Sequence, residues 1–139
     1  MAAETIHIES RTDRLIAVRE FVSHAARIFG FADEDVSKIA LAVDEACTNI
    51  IKHAYKYDPS KDIAVTVQGS DKSFQVIIQD SGTRFNPSEI QTPDMREYMK
   101  HYRRGGLGMH LMRSLMDKVE YHIGSGKVNE VRLTKYLSR

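Results

Sequence analysis

The order of elements along the chain predicts an α+β fold: a two-layer α/β sandwich, one mostly antiparallel mixed sheet with helices on one face. Three observations predict it. Runs that alternate with period two are segregated from runs of helical period, in the order strand, two helices, two strands, loop, helix, two strands. The later strand-like runs pair across short turn signals, Ser70-Asp71-Lys72 and Gly124-Ser125-Gly126, which reads as two hairpins. A length of 139 residues fits one domain, 1–139, able to bury a real core without disulfides or metals.

Thr5–Glu9 alternates around Ile6 and Ile8 and reads as the first strand. Ser10 followed by Asp13 has the spacing of a capping box. Arg14–Phe29 then places Leu15, Val18, Phe21, Val22, Ala25 and Phe29 at helical spacing, and Gly30 can close that helix. Asp33 is the expected N-cap of a second helix running to about Tyr55, with a broad apolar stripe from Val36 through Ile39, Val43, Cys47 and Ile51 to Ala54. Asp58-Pro59-Ser60 is a turn signal that ends it. Ile63–Val67 and Phe74–Ile78 are β-branched alternating runs. Asp80–Pro87 reads as a loop, and Ser88–Arg104, polar and Met-rich, as a long mobile segment with at most one short helix. Met109–Met116 is the third helix, and Val119–Ile123 with Val128–Leu137 the closing hairpin.

Composition removes several function classes. Hydrophobic residues make up 42% and charged residues 28%, as in ordinary globular proteins rather than disordered ones. Lys and Arg total 20 against 19 Asp and Glu, a net charge of +1, which argues against a dedicated nucleic-acid binder. The single cysteine, Cys47, rules out an intrachain disulfide and a Cys-rich metal site, and reads as a small core residue. No apolar run reaches the ~18 residues of a membrane span. Met1–Ser10 lacks the apolar stretch of a signal peptide, so a cytoplasmic location is expected.

Three patches carry chemistry. In the second helix, Glu45, Asn49 and His53 stand four apart and share a face. A carboxylate beside an amide suits a base next to a ligand for Mg²⁺, which takes oxygen donors; the same spacing also describes a solvated polar face. Asp80-Ser81-Gly82 follows an apolar strand and offers a carboxylate where backbone can come close to a ligand, or forms a tight turn. Arg103-Arg104-Gly105-Gly106-Leu107-Gly108 opens a helix whose first amides suit an anion, or is a glycine hinge. It is neither a P-loop nor a dinucleotide fingerprint, because Leu111 stands where a third glycine belongs.

Taken in order, Glu45-x-x-x-Asn49, Asp80-x-Gly82 and Gly106-x-Gly108 resemble the nucleotide-binding boxes of the ATPase superfamily of gyrase, heat-shock chaperones, sensor histidine kinases and mismatch-repair ATPases. The resemblance runs from about Thr5 to Leu137. The chain is too short for the gyrase and chaperone types and has no room for a histidine-kinase dimerisation segment. Ala42–Asn49, Asp80–Pro87 and Gly105–Met109 closely resemble the small stand-alone anti-sigma-factor serine kinases.

That resemblance implies ATP and Mg²⁺ as cofactors, and a role for each matching residue. Glu45 would be the general base toward an attacking serine hydroxyl, and Asn49 the Mg²⁺-binding amide. Asp80 would accept from the adenine amino group and so select ATP over GTP, with Gly82 letting backbone pass close to the base. Gly105, Gly106, Leu107 and Gly108 would line the phosphates, Arg104 would contact them, and Ser88–Arg104 would be the ATP lid. Asn129-Glu130 stands where the superfamily often has a Gly-Thr pair, so no nucleotide role is assigned to it. The implied function is partner switching: sequestration of an alternative sigma factor and phosphorylation of an anti-sigma-factor antagonist, by a homodimer with no direct contact to nucleic acid or membrane. Arg14 and Arg19 on the first helix are candidate partner contacts. Two alternatives stay open: a nucleotide-gated binding module without kinase activity, and a kinase in a circuit lacking a sigma factor.

Overall fold

The computed structural model describes residues 1–80, 107–123 and 128–138, with side chains given outside 107–110 and Ile123. Five strands form one sheet in the order β1-β2-β3-β5-β4: β1 Glu4–Glu9, β2 Asp62–Ser70, β3 Ser73–Asp80, β4 Lys118–Ile123 and β5 Asn129–Tyr136. Every pairing among the described residues is antiparallel. Among the described residues three helices, α1 Leu15–Phe29, α2 Asp33–Asn49 and α3 Leu107–Leu115, form the second layer, with α2 packed between α1 and α3 and against β3 and β5. This is the expected two-layer sandwich. No helix among the described residues is long and apolar enough to cross a membrane.

The strand pleat decides what faces the helices. In β2, Ile63, Val65 and Val67 are buried; in β3, Phe74, Val76 and Ile78; in β5, Val131 and Leu133. They meet Val18, Val22 and Ala26 of α1, Val36, Ile39, Val43 and Cys47 of α2, and Met112 of α3 in one core. The other sheet face is polar and laddered. Thr5 and Thr66 share a hydroxyl hydrogen bond at 2.7 Å, Gln68 donates to Gln75 at 2.8 Å, and Gln79 donates to Glu130 at 2.9 Å. Such cross-strand pairs hold register.

Gly30 ends its helix as the sequence predicts, and three other helix ends depart from the prediction. Gly30 closes α1 at φ +120°, the left-handed conformation glycine takes at little cost, with its N–H donating to Ala26 O and Arg27 O. The Ser10–Asp13 capping box does not form. The Ser10 N–H instead extends the sheet by donating to Lys61 O at 2.9 Å, and Asp13 is held by Arg11 at 2.6 Å. A 3₁₀ turn, Thr12–Arg14, leads into α1. The N-cap of α2 is Ala32, in extended geometry without a side-chain bond, not Asp33. Asp33, Glu34 and Asp35 lie in the first turn instead, where negative charge complements the helix dipole.

At the far end, α2 does not continue as an α-helix to Tyr55. A wider turn, Ile50–Ala54, follows Asn49, with the Tyr55 N–H donating five residues back to Ile50 O at 2.9 Å. Lys56 and Tyr57 then adopt positive φ, and Tyr55 Oη anchors the exit by donating to Asp62 O at 2.8 Å. The β2–β3 hairpin turns at Asp71-Lys72, with Asp71 at φ 56°.

Phe29, Phe31 and Phe74 cluster where α1 ends over the sheet, with ring centroids 5.4–5.7 Å apart. Gly69 on β2 lets the Phe29 ring sit against the backbone. A Cβ there would stand 2.4 Å from Phe29 Cε1. Gly69→Ala is therefore expected to destabilise the fold by about 1–3 kcal/mol, the range for overpacking. Urea unfolding would read this; an unchanged midpoint would mean the ring repacks freely.

Candidate functional site

The site is built from the ends of two apolar lines. In β3 the period that buries Phe74, Val76 and Ile78 carries Asp80, the last residue of the strand, onto the helix-facing side. In β5 the phase of Val131 and Leu133 does the same for Asn129, the first residue. Register sets Asp80 directly opposite Asn129. Asn129 Nδ2 donates to Asp80 Oδ1 at 3.1 Å, with Asp80 4% and Asn129 5% exposed. A buried carboxylate is costly unless it is hydrogen-bonded, and the Asn129 amide supplies one such bond. Asn129 Oδ1 is also buried and has no hydrogen-bond partner among the described residues.

The helix layer above carries the second group. Glu45 and Asn49 lie one turn apart on α2, so their Cβ atoms are about 5–6 Å from each other. Glu45 is half-buried and Asn49 buried. Asn49 is the last α-helical residue before the wide turn, and wide turns of this kind are frequent at functional positions. His53 falls inside that turn, half-buried and partnered, and no longer keeps the α-helical phase of Glu45 and Asn49. Cys47, between them in sequence, faces the core. Burial, with Asp44 as a lesser cause, pushes its thiol up to about 12, which leaves it inert.

Leu107 and Gly108 are the first residues of α3. Their amides belong to the opening turn, where a helix leaves four N–H groups without intrahelical acceptors. Gly82, Arg104, Gly105, Gly106 and the Ser88–Arg104 lid lie outside the described residues.

On the outer side, Arg14 Nη2 donates to Glu9 Oε1 at 3.2 Å, and Arg19 Nη2 donates to Asp44 Oδ1 at 3.0 Å. Both arginines are about half exposed, and exposed pairs of this kind are worth about 0–1 kcal/mol. Arg19 lines an open groove between α1 and α2 with Arg27, Ser37 and Leu41.

The structure thus brings Asp80 to a buried position facing the layer that holds Glu45 and Asn49. It adds Asn129, which the sequence reading passed over. The available signal was phase: a polar residue in step with a buried apolar alternation, as Asp80 is in β3.

Residues 8–135 match the family model described as a histidine kinase-like ATPase domain. The serine-protein kinase RsbW of Bacillus licheniformis is 33% identical over 99% of this chain and 89% of its own length. The serine-protein kinase RsbW of Bacillus mycoides is 29% identical over 95% and 83%. The fold is also similar to a crystal structure of the RsbU and RsbW domains of a Mycobacterium tuberculosis protein, at TM-score 0.66 and 18% identity. That likeness covers all of this chain and 33% of the larger protein, so the chain spans about a third of it.

Proposed function

The chain belongs to the histidine kinase-like ATPase family, on its serine-protein kinase branch, and from that premise we propose that it phosphorylates a small antagonist protein on serine and, in alternation, sequesters an alternative sigma factor. As a member of this branch it is an ATP-dependent protein serine kinase. The observation that carries the nucleotide site is the buried Asp80 carboxylate, held by Asn129 and facing the helix layer of Glu45 and Asn49.

In this reading Asp80 accepts a hydrogen bond from the adenine amino group. Glu45 takes the proton from the serine hydroxyl as that oxygen attacks the γ-phosphorus, and the bond from that phosphorus to the β,γ-bridging oxygen breaks to release ADP. The amides that open α3, with Leu107 and Gly108, favour the negative charge of the phosphates. The stretch through Gly82, Arg104, Gly105 and Gly106 completes base and phosphate contacts, and Ser88–Arg104 serves as the lid.

The donor set suits Mg²⁺. That ion keeps several waters and is usually held by one or two protein groups together with substrate phosphates, and the buried Asn49 amide offers one oxygen. When bound, the ion neutralises charge on the transferring phosphoryl group. We place the activity in the cytoplasm, in a homodimer, with Arg14 and Arg19 as partner contacts. Both arginines are held only by weak exposed ion pairs that a partner carboxylate can exchange.

Thermal unfolding with Mg-ATP and Mg-ADP tests the site. Nucleotide at 100 times its dissociation constant stabilises by about 2.7 kcal/mol, a rise of roughly 5–15 °C for a domain of this size. Wild type is expected to show that rise, and Asp80→Asn to lose most of it. No rise in wild type at millimolar nucleotide would remove the nucleotide reading.

A further inference from the structure

We propose that Asn129 is a specificity-determining residue of the nucleotide site, supplying a second buried acceptor for the exocyclic amino group of the base. The inference rests on the nucleotide reading of Asp80 above. Its own observation is the hydrogen-bond accounting around Asn129. The amide has two ends, and the Asp80 carboxylate oxygen, an acceptor, fixes which end turns toward it: Nδ2 donates to Asp80 Oδ1 at 3.1 Å. The oxygen is thereby committed elsewhere, and it is buried with no partner among the described residues.

A buried acceptor left unmet is costly, and in native proteins such atoms mark places where a ligand or water completes the bonding. The ligand that completes this one must donate. An amino group carries two hydrogens. With one accepted by Asp80, the other meets Asn129 Oδ1, directly or through one water. A base bearing a 6-oxo group turns an acceptor toward two acceptors and is rejected. Asn129 therefore acts twice: it holds the Asp80 carboxylate in place, and that same bond orients its own oxygen for the base.

Calorimetric binding of Mg-ATP and of the Mg complex of purine riboside triphosphate, which lacks the amino group, tests the assignment. Asn129→Leu is expected to weaken ATP on the order of 10-fold while leaving purine riboside triphosphate unchanged. Asn129→Ser, whose hydroxyl both donates to Asp80 and accepts, is expected to restore most of the difference. The unaltered chain gives a reading that needs no variant: N6-methyl-ATP, one amino hydrogen short, is expected to bind on the order of 10-fold more weakly than ATP. Equal loss of both nucleotides in Asn129→Leu, or no loss of either, overturns the inference while the nucleotide reading stands. So does equal binding of ATP and its N6-methyl form. A wild-type chain that binds neither nucleotide overturns the reading of Asp80, and this inference with it.

Discussion

Glu45→Gln is expected to lower phosphotransfer to the serine acceptor by about 10²–10⁴-fold, the range a positioned general base supplies. Binding of Mg-ATP is expected to stay at the wild-type level. The substitution keeps size and helix propensity at a half-buried position of α2, and it removes the carboxylate's charge and with it the ability to take a proton. The adjacent Asp44 does not replace it, because neighbouring residues of a helix do not share a face and Asp44 lies on the side toward Arg19 of α1. Single-turnover transfer of labelled phosphate measures the first quantity, and calorimetry the second. A wild-type rate would sink the base assignment, and loss of nucleotide binding together with transfer would make Glu45 a structural residue.

Phe74→Ala is expected to cost about 3–5 kcal/mol of stability. Phe74 is 0% exposed, and two aromatic rings, Phe29 and Phe31, lie against it at 5.4 Å and 5.7 Å. Deleting the ring loses its burial, leaves a cavity at the α1–sheet junction, and removes two tilted or edge-on ring pairs worth about 0.5–1.5 kcal/mol each. The melting temperature is expected to fall by roughly 10–20 °C. A fall of only a few degrees would mean that Phe29 and Phe31 collapse into the space. Because Phe74 and Asp80 share one strand face, the loss is also expected to loosen the far end of β3, a region that amide exchange would report.

The strands and the helix order were legible because the strand pleat writes itself into alternation, and β2, β3 and β5 alternate cleanly. Glu45, Asn49 and Asp80 stand out in the sequence through their spacing and the motifs they form, and the structure adds their burial, while the roles given to them are proposals. The sequence predicts Asp80 at the start of a loop, whereas it is the last residue of β3. Its phase with Ile78 is what buries it. Asn129 was set aside because it departs from a familiar Gly-Thr pair. Its significance lies in a partner 49 positions away, which no local pattern displays.

The missed helix starts have the same cause. Ser10 caps a helix only if its hydroxyl accepts from an N–H of the first turn; here its backbone N–H donates to Lys61 O as the sheet is continued, and the buried hydroxyl has no partner among the described residues. The wide turn after Asn49 is followed by a bond from Tyr55 Oη to Asp62 O at the start of β2, a contact that the local sequence does not display.

The strand order also governs the sequence of events in folding. The β2–β3 and β4–β5 hairpins join near neighbours in the chain, while the β3–β5 seam joins residues on the order of 50 positions apart. Loop-closure entropy must be met before such distant pairing returns any stabilisation. The hairpins are therefore expected to form early and the seam late, an order that pulsed amide exchange during refolding would read. Asp80 and Asn129 sit at the end of that seam, one contributed by each hairpin. The hydrogen bond between them needs both hairpins. The pair proposed to recognise the base would be assembled only when the two halves of the sheet have found each other, so a chain caught partway through folding is expected to bind nucleotide no better than an unfolded one.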